Sequence, residues 1–261
     1  MKKTTVILLT VLFILSIGQA ALAQTSVGAK LAYDFKTREY YEPANDRIDG
    51  GYDVSNSLLI SIFGKHSFTD KISIAAKFDY SIGAYYYDDW YGDVETIMPV
   101  HINTHLFGKY TILGNSIYNV GVELGGIYDY DYKYFNLDEF SYTRHALFAA
   151  VGVFGSVSVS PLIDIYADVK VPIYTYAFGK QYDAYDEEEY DLDSFSGFFE
   201  AFFYDVTIGA SYQINPNIKL GLELNVGNAT NYRIEIEGTQ WWEGTKKIFE
   251  GSAGVRLEYT F

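Results

Sequence analysis

Histidines stand at positions 101 and 105 with Asn103 between them, one polar side chain at every second residue. In a strand that spacing puts all three on one face. A carboxylate beside an imidazole orients and charges it, which general-base chemistry or a metal site would use. Glu123 is the carboxylate within reach. If the histidine segment pairs with the next one about a turn near residue 114, Glu123 lies beside His105. His145 is a further histidine whose facing the sequence does not fix. The plainer alternative is that these side chains join a polar network and do no chemistry.

The most biased stretch is Tyr182 to Asp193, with Asp186, Glu187, Glu188 and Glu189 in sequence. Hard cations want several oxygen ligands, so these four are the candidates for Ca²⁺. The stretch lacks the Gly-pinned spacing of a calcium loop, and runs of like charge repel and solvate. The expectation is therefore a mobile, solvated loop. The chain has no cysteine, which excludes disulfides and thiolate metal sites. Its net charge of −15 argues against nucleic acid. Nothing in the sequence asks for a cofactor.

These side chains ride on segments of strict alternation. Ile72, Ile74, Ala76, Phe78 and Tyr80 alternate with Ser73, Lys77 and Asp79; Ile163, Ile165, Ala167 and Val169 alternate with Asp164, Asp168 and Lys170. Period 2 marks a strand with one greasy and one wet face. The wet faces carry both signs of charge, among them Lys30, Asp34, Lys109, Glu123, Asp205, Lys219, Glu223, Arg256 and Glu258. Short turn signals recur at Thr69-Asp70-Lys71, Leu113 to Ser116, Ser158 to Pro161 and Asn215-Pro216-Asn217. They divide the chain into hairpin units and predict strands over 25–38, 54–66, 71–86, 99–111, 117–129, 142–156, 162–177, 200–214, 218–232 and 245–261. The segment 142–156 is apolar on both faces. Tyr-, Asp- and Gly-rich loops lie over 39–53, 87–98, 130–141, 178–199 and 233–244.

Alternation alone does not say which face is outside, since a soluble barrel around a greasy ligand shows the same period. No segment after the N-terminus approaches the roughly 20 apolar residues of a spanning helix. Strands this long suit a tilted span, and Tyr and Trp cluster where strands meet loops, as at Tyr85-Tyr86-Tyr87 with Trp90. At the N-terminus, Lys2 and Lys3, an apolar run from Val6 to Ile17 and the small residues Ala21-Leu22-Ala23 read as a signal peptide over 1–23, cleaved after Ala23. Residues 24–261 then form one domain.

The end of the chain carries a resemblance. Phe261, Tyr259, Leu257, Val255 and Ala253 form one apolar register, broken by Thr260, Glu258 and Arg256. A final strand ending in Phe resembles the outer-membrane β-barrel proteins of Gram-negative bacteria, in which it is the signal read by the barrel-assembly machinery. The resemblance implies an all-β fold, a closed antiparallel up-and-down transmembrane β-barrel of about ten strands. It also implies outer-membrane lipid and lipopolysaccharide as surroundings, with short turns on the periplasmic side and long loops outside, where an extracellular ligand would bind.

The expected role is structural or surface-interacting, with a lumen largely plugged by ion pairs. A small porin-like passive channel is the alternative, and an enzyme using His105 and Glu123 the third reading. Ten strands also resemble the omptin surface proteases, which use a pair of Asp on one side of the barrel mouth and an Asp-His pair on the other. Asp88 and Asp89 would stand for the first pair, but the fourth long loop contains no histidine. The likeness fails at the residue that would activate water.

Overall fold

The computed structural model describes residues 24–41, 52–82, 86–88, 94–95, 100–135, 140–183, 188–198, 202–232 and 245–261. The predicted signal peptide lies outside the described residues. The alternating segments become strands, in chain order β1 (Thr25–Tyr41), β2 (Tyr52–Ser67), β3 (Ile72–Ile82), β4 (Tyr86–Asp88), β5 (Val94–Glu95), β6 (Val100–Gly114) and β7 (Tyr118–Phe135). They continue as β8 (Phe140–Ser160), β9 (Ile163–Asp183), β10 (Glu188–Phe198), β11 (Phe202–Asn215), β12 (Ile218–Tyr232) and β13 (Thr245–Thr260).

Ten of these close a ring in the order β1-β2-β3-β6-β7-β8-β9-β11-β12-β13, and β13 returns to β1. Every neighbouring pair is antiparallel. Closure leaves the ring without an edge. The fold class is the expected one. The short β4, β5 and β10 extend hairpins on the loop side.

The short turns share one device. Thr69 Oγ1 accepts from the amides of Lys71 and Ile72, Asn115 Oδ1 from those of Ile117 and Tyr118, and Asn215 Oδ1 from those of Asn217 and Ile218. Ser160 Oγ accepts from the Leu162 amide. In each case a short polar side chain satisfies the amides that a reversing backbone leaves without partners. The last residues are tied in as well: the Phe261 amide donates to the Thr25 carbonyl and the Ser67 amide to that of Gln24.

The alternation sorts the two faces as expected. Leu222, Leu124 and Ile62 stand outward and exposed, while Lys30, Glu123, Asp205 and Ser61 point inward and are buried. The ambiguous segment resolves in β8: Leu147, Val151 and Val153 face out, and Ala146, Phe148 and Ala150 face in. The inward set joins Phe107, Ile127 and Ala177 in a buried apolar cluster. One wall of the lumen, on β6 to β9, is thus greasy where a polar interior was expected.

Two expectations need correction. The loops over 130–141 and 178–199 are in large part hairpin arms. β7 and β8 stay paired up to Phe135 and Phe140, and β9 pairs with β10 from Tyr174–Phe198 to Asp183–Glu188. Aromatic and apolar residues along these arms favour pairing over free solvation. Glu188 and Glu189 therefore lie in a strand, opposite Asp183 and Tyr182. Asp186 and Glu187 lie outside the described residues.

Candidate functional site: a lumen bridged by charge and aromatic rings

The second correction concerns the histidines. The β6–β7 hairpin turns about two residues later than expected, around Asn115-Ser116-Ile117, and the register slips at Thr111/Leu113. Moving a hairpin's centre by two displaces every pair by four. Glu123 consequently faces Lys109, and His105 faces Ile127. The His105–Glu123 pair required by the enzyme reading does not form. His105 is buried on the lumen face, next along β6 from Phe107, and pairs across to Lys77 on β3.

His101 meets a carboxylate that the sequence did not single out: its Nε2 bonds Asp129. Asp129 sits on β7 diagonally from His101, within a Tyr-Asp-Tyr-Asp run whose alternation was the only available signal. His145 is on the outer wall, stacked on Phe178 with ring centroids 4.8 Å apart, and its Nδ1 lies 2.8 Å from the Tyr128 hydroxyl. His66 bonds Thr25 near the short turns. Among the described residues no group of three or more His, Asp or Glu side chains is placed to hold a metal ion.

The lumen charges assemble instead into two clusters. In the first, Glu223 of β12 takes Lys30 of β1 at 2.9 Å and Arg256 of β13 at 3.0 Å. Arg256 also reaches Glu258 at 2.7 Å and donates to the Tyr166 hydroxyl at 2.7 Å. The Tyr166 hydroxyl donates in turn to Glu223 at 2.9 Å. In the second, Lys109 of β6 lies 2.9 Å from Glu123 and 3.1 Å from Asp168 of β9, while Lys170 pairs with Asp168 and lies 3.4 Å from Glu123. Lys219 and Asp164 pair at 2.7 Å, and Lys77 and Asp79 at 2.7 Å.

A second regularity runs through the same lumen. Each of four inward rings lies directly across from a glycine: Phe63 from Gly28, Phe107 from Gly125, Phe154 from Gly121 and Tyr166 from Gly209. A Cβ at any of these glycines would collide with the ring. The missing side chain lets the ring lie flat on the wall. Each ring then carries a cation on its open face: Lys109 over Phe154 at 4.7 Å, Lys170 over Phe107 at 5.3 Å, and Arg256 over Phe63 at 4.2 Å and Tyr166 at 5.0 Å.

Arg256 ties the walls together. Phe63 is on β2 and Tyr166 on β9, five steps apart in either direction round the ring of ten strands. One guanidinium is held between rings from opposite walls. Cation–ring contacts reach about 2 kcal/mol when desolvated, and stripping one partner from a buried charge pair costs about 3–5 kcal/mol. A side chain fixed by both kinds of contact is held firmly in place.

No protein-family profile and no curated protein sequence matches the chain. Solved structures do. The outer membrane protease OmpT from Escherichia coli superposes with a TM-score of 0.66 at 13% identity, covering 93% of this chain and 99% of that one. The translocator domain of the autotransporter NalP from Neisseria meningitidis gives a TM-score of 0.51 at 10% identity, covering 94% and 92%. At such identities the likeness is one of fold and carries no activity across. The chain has the closed, ten-stranded antiparallel barrel fold found among Gram-negative outer-membrane proteins.

Proposed function

We propose that this chain is an outer-membrane barrel whose lumen its own side chains close to ions, and that its role is structural or in surface interaction. The observation that carries the reading is Arg256 held between Phe63 and Tyr166 from opposite walls. The surrounding charges are paired at ion-pair distances, so they act on one another rather than on a passing solute. Outward Leu, Ile and Val side chains suit contact with outer-membrane lipid and lipopolysaccharide, and the terminal Phe261 suits delivery by the barrel-assembly machinery. The aromatic and acidic hairpin arms are the surface offered to an extracellular ligand.

Planar-bilayer recording tests this. The purified barrel is expected to be silent, and Arg256→Ala is expected to give discrete current steps. Sustained steps from the unaltered protein would replace this reading with that of a small passive channel.

A further inference from the structure

The outer wall is not evenly convex. On its turn-side half two outward rows cross four strands, Tyr110, Val122, Val153 and Val169 in one, Gly108, Leu124, Val151 and Val171 in the next. They border a groove of about 880 Å³. Gly108 leaves it deep, because an added Cβ would meet nothing nearer than the Leu124 carbonyl oxygen at 3.8 Å. Rings cover four of the lumen glycines, but this outward one is bare. Lys109 and Glu123 reach the groove only as floor, since their charged ends turn inward and meet at 2.9 Å.

Ile72 stands at the turn-side end of the groove, and the residue before it is a cation. Lys71 is exposed, and its carbonyl accepts the Thr111 amide at 2.8 Å, which holds it beside the strand that carries Tyr110. Among the described residues it has no ion pair, even with the adjacent Asp70. The exposed rings of Tyr118, Tyr212 and Tyr259 lie near the same turns, and such rings sit at headgroup depth in a membrane. An apolar groove therefore ends at an unpaired cation on the level of the headgroups.

We propose that this groove holds one phospholipid of the turn-side leaflet, an acyl chain along Val122, Leu124, Val151 and Val171 and the phosphate at Lys71. Within hydrocarbon an apolar chain gains nothing by leaving its neighbours, so a preferred lipid must be held by shape and by its headgroup. The groove supplies close contact along the chain, and the ammonium of Lys71 attracts the phosphate. The short turns are expected on the periplasmic side, which makes the occupant a phospholipid and not lipopolysaccharide. This rests on the reading of the outer wall as lipid-facing and adds to it a bound partner of fixed stoichiometry.

The probe is phosphatidylglycerol. The barrel is folded in vesicles of that lipid, moved to mild detergent and weighed by native mass spectrometry, and one retained lipid per barrel is expected. Gly108→Leu fills the groove without touching the wall and is expected to abolish retention. Lys71→Ala is expected to weaken it about fivefold. Ala253→Leu, exposed on β13 across the barrel, is the control and should retain the lipid as the parent does. Heat-modifiable migration reports folding in the vesicles, and a chain that fails to fold there undoes the lipid-facing reading itself. A folded barrel that keeps no lipid, or keeps it equally well with Gly108→Leu or Lys71→Ala, overturns the groove alone. Retention of lipopolysaccharide instead, from an equimolar mixture, overturns it as well.

Discussion

Phe63 and Tyr166 approach one another from opposite walls of the barrel, with the guanidinium of Arg256 4.2 Å from one ring centre and 5.0 Å from the other. Neither ring reaches this position by its own length alone. Each lies flat over a glycine directly across the ladder, Gly28 beneath Phe63 and Gly209 beneath Tyr166, so the wall itself is shaped to present it. The contact across the lumen is therefore distributed over five strands, and it makes separable predictions about the glycines, the cation and the two faces of the wall.

The glycines should be intolerant in a selective way. Gly209→Ala places a methyl group into Tyr166, and the ring must leave Arg256 and Glu223 to make room. The expected loss of stability is about 1–3 kcal/mol. Gly64→Ala is the matched control, because its nearest neighbour would be the Ser26 carbonyl oxygen at 3.4 Å. Relief of glycine's backbone entropy should leave that control neutral or slightly stabilised. Urea titration of the barrel in lipid vesicles measures both, and equal losses would contradict the ring-on-glycine account.

The cation should not be replaceable by charge alone. Arg256→Lys keeps one positive charge near Glu223 but loses the planar surface between the two rings and the fork that reaches Glu258 and Tyr166 together. It is expected to lose stability and, in bilayer recordings, to resemble Arg256→Ala more than the parent. Silent recordings from Arg256→Lys would mean that charge pairing alone closes the lumen.

Much of this architecture was legible in the sequence. Ile163 to Lys170 declared the strand and its division into an apolar and a charged face, because a barrel wall with unlike surroundings on its two sides demands unbroken alternation. The ring of ten followed from the turns. What misled was distance along a hairpin: a turn placed near 114 rather than around Asn115 to Ile117 put Glu123 on His105 instead of Lys109. Asn115 caps the turn where it falls, and sequence spacing does not reveal that position. The greasy lumen wall was visible only as a segment, 142–156, with no wet face. Strand pairing over Glu188 to Phe198 was hidden because a run of carboxylates reads as solvated until Tyr190, Leu192, Phe195 and Phe198 are given a partner strand. The rings over glycines needed the register, since Phe63 and Gly28 are far apart in the chain.

The turn caps offer a local test. Asn115→Ala removes the acceptor for the amides of Ile117 and Tyr118 and should cost about 1 kcal/mol or somewhat more. Asn115→Asp keeps the acceptor and should retain most of the stability. If Asn115 also fixes the register, Asn115→Ala should loosen the pairing of Lys109 with Glu123. Amide hydrogen exchange along β6 and β7 would report this as faster exchange confined to those two strands.

The assignment of the two faces can be tested at neighbouring residues. Ile165 is 42% exposed on the outer wall, and Asp164, one residue earlier, points into the lumen. Ile165→Arg puts a charge against hydrocarbon, at an expected cost of about 2–4 kcal/mol if it lies near the bilayer midplane. Asp164→Arg acts differently. It removes the acceptor for Lys219 at 2.7 Å and for the Ser158 hydroxyl at 2.6 Å, and it sets two cations side by side in a half-exposed, water-accessible part of the lumen. Screening by water should keep that cost below the cost of the lipid-facing charge. The order should reverse in a detergent that leaves the outer wall hydrated, because only Ile165→Arg depends on the apolar surroundings. Measured in lipid vesicles, a larger loss at Asp164 than at Ile165 would mean that the greasy face points inward and that the barrel does not sit in a membrane.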